Sequence, residues 1–73
     1  MHSLDQISIG THAVIVKLHM RKHLRRRLTD LGFTPGSTVL CVGESIFCDP
    51  RAYQAHGCVI ALRNQDAKDI EVR

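Results

Sequence analysis

Five histidines and three cysteines give this chain many side chains that could bind a transition metal ion. Thiolate and imidazole groups are zinc ligands, but the sequence has no Cys-x-x-Cys pair and no zinc-finger spacing. Cys41 shares strand parity with Val39, and Cys58 alternates in step with later apolar residues. We therefore expect both thiols to face the core, where a cysteine packs as a small hydrophobe.

The third cysteine is predicted to lie in a different environment. Cys48 lies in a predicted loop beside Asp49, which makes it the cysteine we expect to be exposed. His56 lies at the mouth of a later predicted strand, so Cys48, Asp49 and His56 could converge on one metal ion. Such a site would hold adventitious zinc or iron(II), or a metal bridging a dimer. The sequence predicts no dedicated cofactor.

The sequence contains no catalytic pattern. Nucleophilic catalysis needs a base beside the nucleophile and a group that orients the base, and the spacing of Ser45, Cys48 and His56 does not require this. The glycines are spaced as turns and do not form a phosphate-binding loop. With 73 residues, few can be spared for a deep pocket. We do not expect an enzyme.

The positive charge of the chain is concentrated in one short window. The formal net charge is +3, and residues 17–27 hold six of the ten Lys and Arg residues and no acid. The six are Lys17, Arg21, Lys22, Arg25, Arg26 and Arg27. A localised basic face indicates an anionic partner, which could be an acidic protein surface, a lipid headgroup layer or a nucleic acid.

A helix from about Met20 to Leu31 is predicted to carry this window. Leu24, Leu28 and Leu31 recur at helical spacing on one face. The same 100° step points Lys22, Arg25 and Arg26 away from that face, either as a solvated face or as a docking surface. Arg27 flanks the apolar face, where we expect its stem to cover core atoms while the charged head stays in water.

Short strands surround this helix. The lead-in from Leu4 to Gly10 is predicted as a turn, and in the first strand Val14, Val16 and Leu18 are predicted to share one face. The predicted strands are His12–His19, Val39–Val42, Arg51–Gln54, His56–Arg63 and Asp69–Val72. Short strands with tight turns and one helix favour a closed β structure, and composition leaves an oligonucleotide-binding barrel and an SH3-like barrel both open.

The stretch RLTDLGFTPGSTV predicts how the helix ends. Gly32 stands where a left-handed residue stops a helix, and Phe33 can close back onto Leu28. Pro35-Gly36 fits the two central positions of a type II turn. A strand is expected to begin directly afterwards.

These residues resemble the ferrous iron transport protein A (FeoA) family. The shared pattern is Arg27-Leu28, then Leu31-Gly32 and Pro35-Gly36 followed by valine, and it continues through 60–63 to 70–72. The resemblance covers nearly the whole chain. It implies one domain over residues 1–73, mainly β, with a small SH3-like β-barrel of about five strands. One short α-helix, about residues 20–31, would pack across one opening of the barrel.

The same resemblance implies a function. FeoA-like proteins are small cytosolic accessory proteins of ferrous iron uptake, and the expected partner is the membrane transporter FeoB with its cytoplasmic G-protein domain. The helix cations and the loop from Glu44 to Tyr53 would form the docking surface. The residues expected to bind the partner are Lys22, Arg25, Arg26, Phe47, Asp49 and Tyr53.

Two other functions fit parts of the sequence. The basic window also suits a nucleic-acid-binding domain, but single-strand binding uses aromatic stacking surfaces, and the chain has only Phe33, Phe47 and Tyr53. We therefore expect no nucleic-acid partner. Metal storage rests on the histidine and cysteine count alone. No apolar run is long enough to span a membrane, and weak homodimerisation stays open.

Overall fold

The computed structural model describes residues 2–44 and 49–73. The strands are β1 (His2–Ser3), β2 (His12–Leu18), β3 (Thr38–Glu44), β4 (Arg51–Ala55), β5 (Cys58–Leu62) and β6 (Ile70–Val72). A 3-10 turn covers Leu4–Gln6, and the helices are α1 (Lys22–Asp30) and α2 (Asn64–Ala67).

All strand pairs are antiparallel, in the order β1-β6-β2-β3-β4-β5. The mainly β architecture and the single longer helix agree with the sequence prediction. The described residues contain six strands where about five were expected, because His2 and Ser3 pair with Val72 and Glu71. The short helix α2 occupies the stretch that was predicted to turn the chain before the last strand.

The inward face of β2 differs from the prediction. Val14 and Val16 are half-buried, while Ala13 and Ile15 lie in the core. The pairing of β2 with β6 shifts register after Ile15, which is the mark of a β-bulge. The extra residue reverses the alternation, so Leu18 is buried as predicted although Val14 and Val16 are not its partners on that face.

One hydrophobic core joins the sheet, α1 and the 3-10 turn. Its largest fully buried side chains are Tyr53, Phe33, Leu4, Ile15, Leu28, Ile70, Val39, Val72 and Cys41. The burial of Cys41 confirms that prediction. Cys58 is only half-buried, because it is the first residue of β5 and lies next to the exposed hairpin turn.

The end of α1 has the predicted geometry. The Gly32 N–H donates to the Thr29 carbonyl at 3.1 Å, and the Phe33 N–H donates to the Leu28 carbonyl at 2.9 Å. These are the two hydrogen bonds of a Schellman motif, with Gly32 at φ +95°. Phe33 is thereby placed in the core beside α1.

The Pro35-Gly36 turn is also confirmed. The Ser37 N–H donates to the Thr34 carbonyl at 2.9 Å, and Gly36 has φ +91°. The Gly36 N–H donates to the Ile15 carbonyl at 2.7 Å, which attaches the turn to β2. The turn therefore fixes the position of α1 relative to the sheet.

Candidate partner-binding surface

Helix α1 presents a basic surface, defined here as its N-cap residue and the four cations that follow. These residues are Arg21, Lys22, Arg25, Arg26 and Arg27, and all are exposed. Within residues 2–44 and 49–73, the salt bridges are His19–Glu71 and Arg51–Glu44, so none of the five takes part in one. The charge of this surface is available to a partner.

Helix stability does not explain the cations at the N-terminal end of this cluster. Arg21 is the N-cap of α1 but makes no side-chain capping hydrogen bond, and the first turn contains no acidic residue. Cations near a helix N-terminus are unfavourable, because that end carries partial positive charge. The helix is held by its apolar face and its C-terminal stop, in particular by Leu28, which is 1% exposed.

The structure places Lys22, Arg25 and Arg26 on the outer side of α1, as the helical spacing predicts. The Thr29 hydroxyl donates a hydrogen bond to the backbone carbonyl of Arg25 at 2.8 Å. This hydrogen bond does not involve the guanidinium group of Arg25. Partner binding by these three residues stays a prediction.

Only part of the predicted docking loop lies within the described residues. Phe47 and Cys48 lie outside the described residues. Asp49 is half-buried, and its carboxylate accepts a hydrogen bond from the Asn64 backbone N–H at 2.9 Å. This contact ties the chain before β4 to the first residue of α2, which gives Asp49 a structural role.

The predicted place of Tyr53 on the docking surface is wrong. Its side chain is 0% exposed, because Arg51, Tyr53 and Ala55 occupy the inward positions of β4. The docking loop from Glu44 to Tyr53 overlaps the predicted strand Arg51–Gln54, and the structure makes Tyr53 the central residue of a strand paired on both sides. A partner cannot reach this side chain in the folded state.

Burial gives Tyr53 a measurable effect on stability at high pH. Removal from water raises the pKa of Tyr53 above 10.0, and the nearby Arg51 charge offsets this only in part. Above pH 10 the unfolded chain releases the Tyr53 proton while the folded chain retains it, so the free energy of unfolding should fall. Urea unfolding between pH 8 and 11 should show this decline, and Tyr53→Phe should reduce it. If the free energy of unfolding of Tyr53→Phe fell with pH as steeply as that of the parent, Tyr53 would not be the cause of the decline.

The structure does not bring Asp49 and His56 together. They lie beyond opposite ends of β4, so the seven-residue separation corresponds to about 20 Å of extended chain. His56 is in the turn between β4 and β5 at φ +52°, and its Nε2 lies 3.2 Å from the Ser37 hydroxyl. In the described part of the chain, no three His, Cys, Asp or Glu side chains are arranged to hold a metal ion.

A groove beside α1, lined by both apolar and charged side chains, was not predicted from the sequence. It lies between α1 and β5, has a volume of about 220 Å³, and is called the α1–β5 groove below. Leu24, Leu31 and Ile60 line it and are half-buried, while Arg27 and Asp66 also contact it. Helical spacing showed the apolar face of α1, but the sequence could not show that this face leaves space beside β5.

Within residues 2–44 and 49–73, neither helix has the length and apolar character needed to cross a membrane.

Solved structures with this fold include two FeoA proteins. The FeoA protein from Chlorobium tepidum has a TM-score of 0.92 at 26% identity, covering 96% of this chain and 67% of that chain. The zinc complex of FeoA from Stenotrophomonas maltophilia has a TM-score of 0.86 at 28% identity, covering 100% and 91%. The latter is described as a prokaryotic SH3 domain protein, so the present fold is SH3-like.

Sequence comparison gives a relative and a family. The chain is 35% identical over 69 residues to an Fe(2+) transport protein A/Fe(2+) transporter FeoB fusion protein from Porphyromonas gingivalis. This match covers 94% of the present chain but only 8% of the fusion protein. The FeoA domain family matches residues 2–73, which is nearly the whole sequence. This chain therefore belongs to the FeoA domain family.

Proposed function

We propose that this protein is an accessory protein of ferrous iron transport that acts in the cytoplasm by docking on FeoB. Membership of the FeoA family supports the role in iron transport. The relative from Porphyromonas gingivalis is a fusion of Fe(2+) transport protein A with the transporter FeoB, which supports association between these two proteins. The cytoplasmic G-protein domain of FeoB is the part we expect the basic surface to contact.

The observation that carries this proposal is the basic surface itself. Five exposed cations lie within seven residues, and the described residues supply no salt-bridge partner for any of them. A single exposed ion pair contributes at most about 1 kcal/mol, so recognition would depend on several pairs acting together. Such an interface should associate quickly at low salt and weaken as the ionic strength rises.

A protein partner suits the structure better than a nucleic acid does. Phe33 and Tyr53 are both fully buried, so neither ring offers a surface on which a base could stack. The remaining aromatic residue, Phe47, lies outside the described residues. Docking would change the transporter by favouring one of its nucleotide-dependent states, which requires different affinities for the two states.

Charge reversal tests the proposal. The double variant Arg25→Glu/Arg26→Glu should weaken binding to the cytoplasmic domain of FeoB by about tenfold or more at low salt, because it replaces attraction with repulsion. Isothermal titration calorimetry at two salt concentrations measures the loss. The matched control is Lys68→Glu/Arg73→Glu, which makes the same charge change at two exposed residues outside α1. Equal affinities for the two double variants would overturn the role of the basic surface.

A further inference from the structure

The α1–β5 groove is built mainly from side chains of α1 and β5, with Leu31 directly after α1 and Asp66 of α2 at its border. Leu28 and Leu62 are buried beneath it, at 1% and 6% exposed. Leu24, Leu31 and Ile60 pack against the core but retain exposed surface along the groove. The apolar face of α1 therefore continues outward beyond the part that the fold itself covers.

The size of the groove limits what it can hold. A volume of about 220 Å³ lies below the range of about 300–1,000 Å³ that is typical of small-molecule sites. It suits one large apolar side chain or two small ones. Protein interfaces often depend on such an anchor, seated in a small pocket and surrounded by contacts that exclude water.

The charges at the groove are arranged asymmetrically. Arg27 lies on the α1 side, where the rest of the basic surface continues, and Asp66 lies on the α2 side. Within the described part of the chain no salt bridge joins Arg27 to Asp66. A bound segment would be attracted to α1 if it carried carboxylates there, and Asp66 would repel carboxylates placed on the other side.

We propose that the α1–β5 groove seats an apolar anchor side chain from an acidic amphipathic segment of FeoB's cytoplasmic region. Carboxylates flanking the anchor on one side face Arg27 and the basic surface. This inference rests on the proposed function and adds the place and chemistry of contact. The basic surface would accelerate and orient the encounter, while burial of the anchor would slow dissociation.

Methyl groups allow the groove to be observed directly. In a chain with ¹³C-labelled Ile, Leu and Val methyls, the cytoplasmic region of FeoB should shift the signals of Leu24, Leu31 and Ile60. Val42 and Val59, which are 39% and 55% exposed and do not line the groove, should shift least. The labelled protein stays unmodified, so the result does not depend on whether a variant folds.

A matched pair of variants measures the contribution of the anchor. Ile60→Thr makes the groove polar, and Val59→Thr makes a similar change at the adjacent residue on the opposite face of β5. Ile60→Thr should weaken binding about tenfold and mainly raise the dissociation rate, whereas Val59→Thr should bind like the parent. The circular dichroism spectra of both variants should match that of the parent.

The outcomes separate the two proposals. Groove methyl shifts together with a selective loss in Ile60→Thr support the anchor. Binding without shifts of the groove methyls, or equal affinities for the two variants, overturns the groove and leaves the proposed function standing. An absence of binding at high concentrations of both proteins overturns both.

Discussion

Phe33→Ala should lower the free energy of unfolding by about 3–5 kcal/mol, because it empties the space of a fully buried ring. A domain of this size is stable by roughly 4–11 kcal/mol, so the change removes a large part of the total. Phe33 also follows the glycine stop of α1 and brings the helix end into the core. The loss of its ring should therefore loosen α1 as well as the sheet it packs against.

Equilibrium unfolding in urea, followed by circular dichroism, measures this loss. Val59→Ala is the appropriate control, since it shortens an apolar side chain that is 55% exposed. It should change stability by less than about 0.5 kcal/mol. If Phe33→Ala cost no more than this control, the described core would be wrong at this end of the molecule.

Gly32→Ala should be destabilising by about 2–4 kcal/mol, for two separate reasons. The backbone at Gly32 is left-handed, at φ +95°, where a Cβ is unfavourable. A Cβ built there would also lie 2.9 Å from Cδ2 and 3.2 Å from Cβ of His56, so the turn between β4 and β5 would have to move. The expected result is a lower urea midpoint.

The structure offers a control that separates the two reasons. Gly36 has nearly the same φ, +91°, but nothing lies within 4 Å of a Cβ built there. Gly36→Ala should therefore show the backbone cost alone. Introducing His56→Asn, which shortens the side chain at a position with positive φ, should reduce the cost of Gly32→Ala toward that of Gly36→Ala. Equal costs for both glycines in the parent would argue against the His56 contact.

The features that could be predicted from the sequence are those fixed by local chemistry. The Schellman stop depends on Gly32 and its immediate neighbours, and the type II turn depends on Pro35-Gly36. The outward direction of Lys22, Arg25 and Arg26 follows from helical geometry once the apolar face is known. Each of these inferences needs only a few consecutive residues.

The errors arose where distant pairing decides the outcome. The bulge in β2 is defined by its register with β6, more than fifty residues later, so alternation within β2 gave the wrong inward face. Tyr53 lay within a predicted strand, but the sequence did not show which face of that strand is buried, and pairing with β3 and β5 makes Tyr53 a core residue. His56 was assigned to a strand, whereas it turns the chain and packs beside Gly32.

The α1–β5 groove illustrates a further limit. Whether an apolar helix face is fully covered depends on the distance between two elements, and no local pattern in either element specifies that distance. Asp49 is a similar case, since its hydrogen bond to the Asn64 backbone joins residues fifteen apart. The residue types were visible in the sequence, but their surroundings were not.

The pairing of β1 with β6 has a consequence for how this domain can be tethered. His2 lies opposite Val72, so the two ends of the described chain lie side by side, at the same end of two neighbouring strands. A flexible linker attached at either end would thus start from nearly the same point and sweep the same volume. Tethering at short range sustains an effective concentration of about millimolar, so even a weak contact would be occupied most of the time. A free-standing copy would need correspondingly higher intrinsic affinity to achieve the same occupancy.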